Sequence, residues 1–162
     1  IRIYKKNESY FVEGKGFKGL KESKNKLYFG NSGTGIRLMS GLLSIQNFSS
    51  SLTGDESLSQ RPMKRIIDPL RLSGAQIVSN YNTLPIEIVG SKIPMPIDYS
   101  SSLSSAQVKS AVLLCGLHST GYSIFKEPHL SRDHTERMLK FMGADIECLK
   151  TSEGSYQITL IT

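Results

Sequence analysis

The chain has 162 residues, 38% of them hydrophobic, and a formal charge of +6. That is enough for one domain or a piece of a larger one. No run of 18 apolar residues is present, which excludes a membrane-spanning helix. The chain begins Ile1-Arg2-Ile3-Tyr4, with no initiator Met and no signal-peptide pattern, and so reads as an excised fragment. Its basic residues are dispersed (Lys5, Lys6, Lys15, Lys18, Lys21, Lys24, Lys26, Lys64, Arg65, Arg71), without a continuous basic helix interleaved with aromatics. The charge therefore suits small anions better than nucleic acid. Cys115 and Cys148 fall in apolar helix and strand patterns and read as buried thiols of a reducing, cytoplasmic compartment, neither disulfide nor metal site.

In chain order, residues 1–4 and 10–12 read as a hairpin turning at Lys6-Asn7-Glu8 and ending at Gly14. Residues 15–26 form a basic loop. Leu27-Tyr28-Phe29 is a short strand, followed by a glycine-rich turn and a helix to Gln46. Ser50-Ser51-Leu52-Thr53 is a strand closed by Gly54-Asp55, and 56–60 is polar loop. Arg61-Pro62 opens a second helix, with Pro62 in its first turn and Ile66, Ile67 and Leu70 on its apolar face, stopping near Gly74. Residues 75–78 and 85–89 form a hairpin around Asn80-Tyr81-Asn82, and 95–99 is a short strand. A serine-rich turn over 100–105 leads to a third helix bearing Val108, Ala111, Val112, Leu114 and Cys115. Residues 122–125 form a strand closed by Glu127-Pro128. Ser131 is the expected N-cap of a fourth helix, which carries Met138, Leu139, Phe141 and Met142 and stops at Gly143. A hairpin of 144–148 and 156–160 ends the chain, and His118 and His129 fall in loops.

The turn Gly30-Asn31-Ser32-Gly33-Thr34-Gly35-Ile36-Arg37 carries the chemistry. A strand feeding a helix through such a turn leaves the first helical amides unpaired at the positive end of the helix dipole. Gly33 and Gly35 let a ligand approach the backbone, and Arg37 adds forked donors. A phosphate or carboxylate site and plain turn punctuation both fit this stretch alone. The P-loop ending Gly-Lys-Ser/Thr is missing, and the glycines lack the G-x-G-x-x-G spacing. Arg61 and Arg132 by themselves read equally as solvated helix starts, and Ser105 as an ordinary N-cap. His134 reads as a structural helix residue.

An internal repeat adds weight. Leu70-Arg71-Leu72-Ser73-Gly74-Ala75-Gln76-Ile77 reappears as Leu139-Lys140-Phe141-Met142-Gly143-Ala144-Asp145-Ile146. More loosely, Ser32-Gly33-Thr34-Gly35-Ile36-Arg37 reappears as Ser104-Ser105-Ala106-Gln107-Val108-Lys109. Two units, 27–92 and 95–162, each read strand, turn, helix, strand, acidic corner, helix, hairpin. The hairpin over 1–14 is the tail of an earlier unit. Two equivalent helix N-termini then face a common cleft.

These motifs, with Arg61-Pro62-Met63, Ser104-Ser105-Ala106-Gln107-Val108-Lys109-Ser110-Ala111 and Ser131-Arg132-Asp133-His134-Thr135-Glu136, resemble the 5-enolpyruvylshikimate-3-phosphate synthase family in order and spacing. The resemblance spans essentially the whole chain. It implies the α/β fold of the enolpyruvyl transferase superfamily, an inside-out α/β barrel of repeated β-α-β-α-β-β units with helices inside and mixed sheets outside. Residues 1–162 would be a single, incomplete amino-terminal domain of a two-domain enzyme. The implied reaction moves the enolpyruvyl group of phosphoenolpyruvate to the 5-hydroxyl of shikimate-3-phosphate and releases phosphate, a step towards aromatic amino acids. No cofactor or metal is implied, and the partners are these two small anions and the missing carboxy-terminal domain.

Carried over by position, the resemblance places Asn31, Gly33, Arg37, Arg61 and Gln107 at phosphoenolpyruvate. Ser105, Ala106, Gln107, Ser131 and Arg132 fall at shikimate-3-phosphate. No catalytic acid or base is assigned, because in the family those groups come largely from the second domain. The chain alone is accordingly expected to bind weakly, to lack turnover and, with part of its helical core uncovered, to self-associate, while the full-length enzyme is a monomer. Glycine at position 33 implies sensitivity to glyphosate, the family's inhibitor at the phosphoenolpyruvate site. A sibling family acting on UDP-N-acetylglucosamine is the alternative, but its members usually carry a Cys before the Arg-Pro pair, and Gly54-Asp55-Glu56-Ser57-Leu58-Ser59-Gln60 has none. A catalytically silent binding or scaffolding domain is the alternative of another class.

Overall fold

A computed structural model describes residues 1–16 and 19–162; the expected basic loop over 15–26 lies partly outside these. The first hairpin pairs β1 (Arg2–Lys6) with β2 (Ser9–Glu13), turning at Asn7, whose φ is 53°. Two four-stranded sheets follow. In the first, β3 (Leu27–Tyr28) runs parallel to β4 (Ser49–Thr53), which pairs antiparallel with β6 (Ile86–Val89), and β5 (Gln76–Ser79) forms the far edge. The second repeats this plan: β7 (Asp98–Ser100) is parallel to β8 (Tyr122–Glu127), then β10 (Tyr156–Ile161) and β9 (Asp145–Lys150).

Each parallel pair needs a helical crossover, supplied by α1 (Gly33–Leu43) and α4 (Ala106–Gly116). These two helices pack on each other so closely that a methyl group at Gly41 would fall on the Ala111 carbonyl. α4 is the central helix, buried on nearly every side: Val108, Ala111, Val112, Leu113 and Cys115 are each at most 3% exposed. α3 (Lys64–Arg71) and α5 (His134–Phe141) flank it. Ile66, Ile67 and Leu70 of α3 enter the core, as do Leu52, Ile86 and Ile88 of one sheet and Phe125, Ile158 and Leu160 of the other. The strands alternate core-facing and outward residues; β6, for example, buries Ile86 and Ile88 and exposes Glu87 and Val89. The helices therefore lie inside and the sheets outside, as expected. The repeated Gly74 and Gly143 both end helices at positive φ, 89° and 96°.

Several local expectations differ from what is observed. α1 ends at Leu43, short of Gln46, with Ser44 as its C-cap. The strand expected over 95–99 starts only at Asp98, since Pro94 and Pro96 have no N–H for a ladder. The polar loop over 56–60 contains a one-turn helix, α2 (Glu56–Ser59). Asp55 caps it by accepting from the Leu58 amide at 2.8 Å, and Leu58 is fully buried. The second main helix starts at Lys64, leaving Pro62 outside it. Met63 occupies the cap and its amide donates to the Asn82 carbonyl at 2.7 Å. Asp133, and not Ser131, stands at the start of α5. Cys115 is buried, but Cys148 is exposed: it shares the inward face of β9 with Ile146, yet only Ile146 is covered there.

Candidate anion-binding cleft

The site lies where the two parallel pairs end and the crossover helices begin, the usual place for a ligand in α/β structures. At the first, the Gly30 carbonyl accepts from the Asp55 amide at 2.9 Å and Gly30 takes φ 54°, tying the glycine turn to the end of β4. Ser32 caps α1 by accepting from the Gly35 amide at 3.0 Å. At the second, Ser105 caps α4 by accepting from the Val108 amide at 3.4 Å. Ser104 donates to the His129 carbonyl at 2.6 Å and accepts from the His129 amide at 2.9 Å, so the loop after β8 is tied to the turn after β7.

The two caps correct the repeat register by one residue. Ser32 matches Ser105, which makes Ile36 the counterpart of Lys109 and Ser110 that of Arg37. The helix period explains this: Ile36 and Lys109 both point into the core and both are 0% exposed, whereas Arg37 is only half-buried at the cleft.

Gln107 joins the halves. Its Nε2 donates to Thr34 Oγ1 at 2.7 Å, and its Oε1 accepts from Arg37 Nη1 at 3.1 Å. Arg37 also donates to the Gly33 carbonyl at 3.2 Å and to the Pro62 carbonyl at 3.3 Å. Arg61 donates to Asn31 Oδ1 and, at 3.4 Å, to Ser57 Oγ. Its own amide donates to the Leu58 carbonyl at 3.1 Å, so α2 sets the position of Arg61. A methyl group on Gly33 would come 2.7 Å from Arg37 Nη1 and 3.1 Å from Arg61 Nη1. The bare Cα is what lets both guanidinium groups converge on the turn.

Burial first, then the cations of Arg61 and Arg65, lower the Arg37 pKa. Among the described residues no carboxylate forms an ion pair with Arg37, Arg61 or Arg132. Converging cations without a counter-charge, beside two helix N-termini, make a site complementary to anions.

Ser105, Ala106, Gln107, Ser131 and Arg132 line one open cavity of about 520 Å³, with Ser104. A second, of about 300 Å³, shares Ala106, Gln107 and Arg132 with it and extends to Thr34, Ser110, Thr135 and His134, which thus stands at the cleft. All nine residues expected at the two substrates therefore come together in two adjoining groups bridged by Gln107. The sequence reading missed Thr34 and Ser57, whose hydroxyls give no signal without their partners. It also missed the buried cluster of Lys109, Glu127 and Glu136 behind Ser131. A lysine inside the apolar run Val108-Ala111-Val112 was the available clue.

The chain has the repeat-built α/β fold of the enolpyruvyl transferase type. Its coordinates match those of the enolpyruvyl transferase NikO from Streptomyces tendae with a TM-score of 0.52 at 19% identity over 74% of this chain and 28% of that one, a likeness of fold alone. The family model described as EPSP synthase (3-phosphoshikimate 1-carboxyvinyltransferase) matches residues 1–159, so the chain belongs to the EPSP synthase family. It is 46% identical to EPSP synthase from Acinetobacter baumannii, with a TM-score of 0.87 over 99% of this chain and 36% of that one. It is 49% identical over 150 residues to the 3-phosphoshikimate 1-carboxyvinyltransferase of Vesicomyosocius okutanii, covering 93% of this chain and 34% of that protein. With the Bartonella henselae protein of the same name it shares 45% over 159 residues, 98% of this chain and 36% of that one. The chain thus spans about a third of the length of the curated relatives it matches.

Proposed function

We propose that this chain supplies the anion-binding wall of a 3-phosphoshikimate 1-carboxyvinyltransferase, in the cytoplasm. The enolpyruvyl group passes from phosphoenolpyruvate to the 5-hydroxyl of shikimate-3-phosphate, and phosphate leaves. Arg37 and Arg61, with Asn31, Gly33 and Gln107, hold phosphoenolpyruvate. Ser105, Ala106, Gln107, Ser131 and Arg132 hold shikimate-3-phosphate, its 3-phosphate against the start of α4. The observation that carries this reading is the convergence of Arg37 and Arg61 on Gly33, unneutralised and bridged by Gln107 to the second cavity.

In the addition step the 5-hydroxyl gives its proton to a base as its oxygen bonds to the central carbon of phosphoenolpyruvate, an acid protonates the methylene carbon to a methyl group, and a tetrahedral intermediate forms. Elimination takes one proton from that methyl group, reforms the carbon–carbon double bond and breaks the C–O bond, so that inorganic phosphate leaves. Two substrates rich in negative charge must be brought together, and fixed guanidinium groups and helix amides offset their repulsion at no reorganisation cost during reaction. The acid and base that move the protons are assigned to the remainder of the enzyme, a second domain that closes on this wall.

Titration of shikimate-3-phosphate into the chain, followed by NMR, is expected to shift the amides of Ser105 and Gln107 and the Arg132 side chain at concentrations where inorganic phosphate leaves them unmoved. Equal shifts with both ligands, or none, would refute the assignment.

A further inference from the structure

Lys109 is 0% exposed, and its ammonium is the hub of a cluster drawn from three elements. It lies 3.1 Å from Glu127 Oε1 at the end of β8 and 2.6 Å from Glu136 Oε1 on α5, and it donates to the Ser131 carbonyl at 3.3 Å. Glu127 Oε1 in turn accepts from both the amide and the hydroxyl of Ser131, each at 2.9 Å. The Ser131 peptide is thus gripped at its N–H by Glu127 and at its carbonyl by Lys109.

The first repeat provides an internal control. The counterpart of Lys109 is Ile36, and the counterpart of Glu136, three residues before Leu139 as Ile67 is before Leu70, is Ile67; both isoleucines are 0% exposed. Gly54 lies two residues beyond the buried Leu52, as Glu127 lies two beyond the buried Phe125. The same fold therefore closes over isoleucines in one unit and over an ion cluster in the other. Burying ions is costly, and well-packed apolar residues often replace such clusters without loss of stability. The second unit keeps its cluster where a loop lining the cleft must be held.

We infer that Lys109 is a positioning residue which, through Glu127 and Glu136, clamps the loop after β8 so that Ser131 and Arg132 face the start of α4. The ligand side of this inference rests on the function proposed above. Glu127 Oε1 receives three donors, so the Ser131 hydroxyl can turn to an incoming phosphate oxygen while its amide and Lys109 keep the grip.

The test has two arms. In the unmodified chain, the Ser131 amide is expected to exchange with solvent at least tenfold more slowly than those of Leu130 and Arg132; equal rates would overturn the clamp. In the ion-free variant Lys109→Ile, Glu127→Leu, Glu136→Ile, which also removes the acceptor of the Ser131 amide, the melting temperature is expected to stay within a few degrees. The Ser131 protection should vanish, and shikimate-3-phosphate should bind about tenfold more weakly, a loss of ~1.4 kcal/mol. A variant that fails to fold, or that folds and binds as the unmodified chain does, would also overturn it. An unmodified chain that binds no shikimate-3-phosphate refutes the proposed function instead, and the exchange arm still decides on the clamp.

Discussion

Gly33 is defined by what surrounds its missing side chain. The nearest atoms to an added methyl group are the tips of two flexible arginines, not backbone, so the fold can absorb Gly33→Ala while the guanidinium groups move. In the full-length enzyme that substitution is expected to raise the KM for phosphoenolpyruvate and to weaken glyphosate inhibition, each about tenfold, since 1 Å of displacement at a charge-binding site easily amounts to ~1.4 kcal/mol. Inhibition curves for the two proteins check this; superimposable curves would refute it. A second residue with a measurable consequence is Cys115. Burial pushes its thiol up from 9.0 to about 11, slightly opposed by a hydrogen bond with Ser73. The unfolded thiol ionises first, so the unfolded state binds fewer protons between pH 9 and 11 and stability must fall across that window. At ~1.36 kcal/mol per pKa unit the loss approaches 2–3 kcal/mol. Urea unfolding at pH 8 and pH 11 should show this component in the parent chain and not in Cys115→Ala.

The helix pair α1–α4 holds the two halves of the cleft in register, because Thr34 and Gln107 meet only if the helices keep their close approach. Gly41 permits that approach. Gly41→Ala would drive a methyl group into the backbone of α4 at Ala111, and overpacking of this kind costs about 3 kcal/mol when the obstacle is another helix's main chain. We expect a fall in melting temperature of ten degrees or more, read by circular dichroism, together with loss of the Thr34–Gln107 contact. A near-parental melting temperature would show that the helices can separate freely. α2 illustrates the same point at smaller size: one turn, capped by Asp55 and anchored by Leu58, is sufficient to set Arg61.

For the molecule as a whole, the notable feature is apolar surface on one flank and on the first hairpin. Phe141, Met142 and Met138 of the last helix region are 92%, 71% and 55% exposed, and Ile3, Tyr10 and Val12 of the hairpin 65%, 72% and 64%. Contiguous apolar surface of this sort marks a contact region, and a lone two-stranded hairpin is marginal in water. The chain studied alone is expected to self-associate at micromolar concentration, and Phe141→Glu with Met142→Glu to shift it towards monomer, as measured by sedimentation velocity. A monodisperse parent chain at those concentrations would count against this.

Period-2 and period-3.6 patterns carried the order of strands and helices, and the repeated Leu-x-x-x-Gly-Ala segments marked where helices hand over to hairpins. These are local or nearly local properties: side-chain alternation and the positive φ that glycine alone adopts freely act within a few residues. The glycine turn and its loose repeat pointed to an anion site before any coordinates, and the family resemblance supplied the remaining candidate residues. What lay beyond these depended on partners distant in the chain. Ser131 reads as an N-cap until Glu127 is seen to take both its donors, and residues 56–60 read as loop until Leu58 finds the core. Lys109 looked like a second Arg37 until packing of α4 turned it inward to the place of Ile36. Periodicity and the internal repeat thus decided the elements and their α/β order, while the fold class came with the resemblance. Whether a given cation faces the cleft as a ligand donor or the interior as a clamp was decided only by tertiary packing, because burial, not residue type, selects what a charge is paired with.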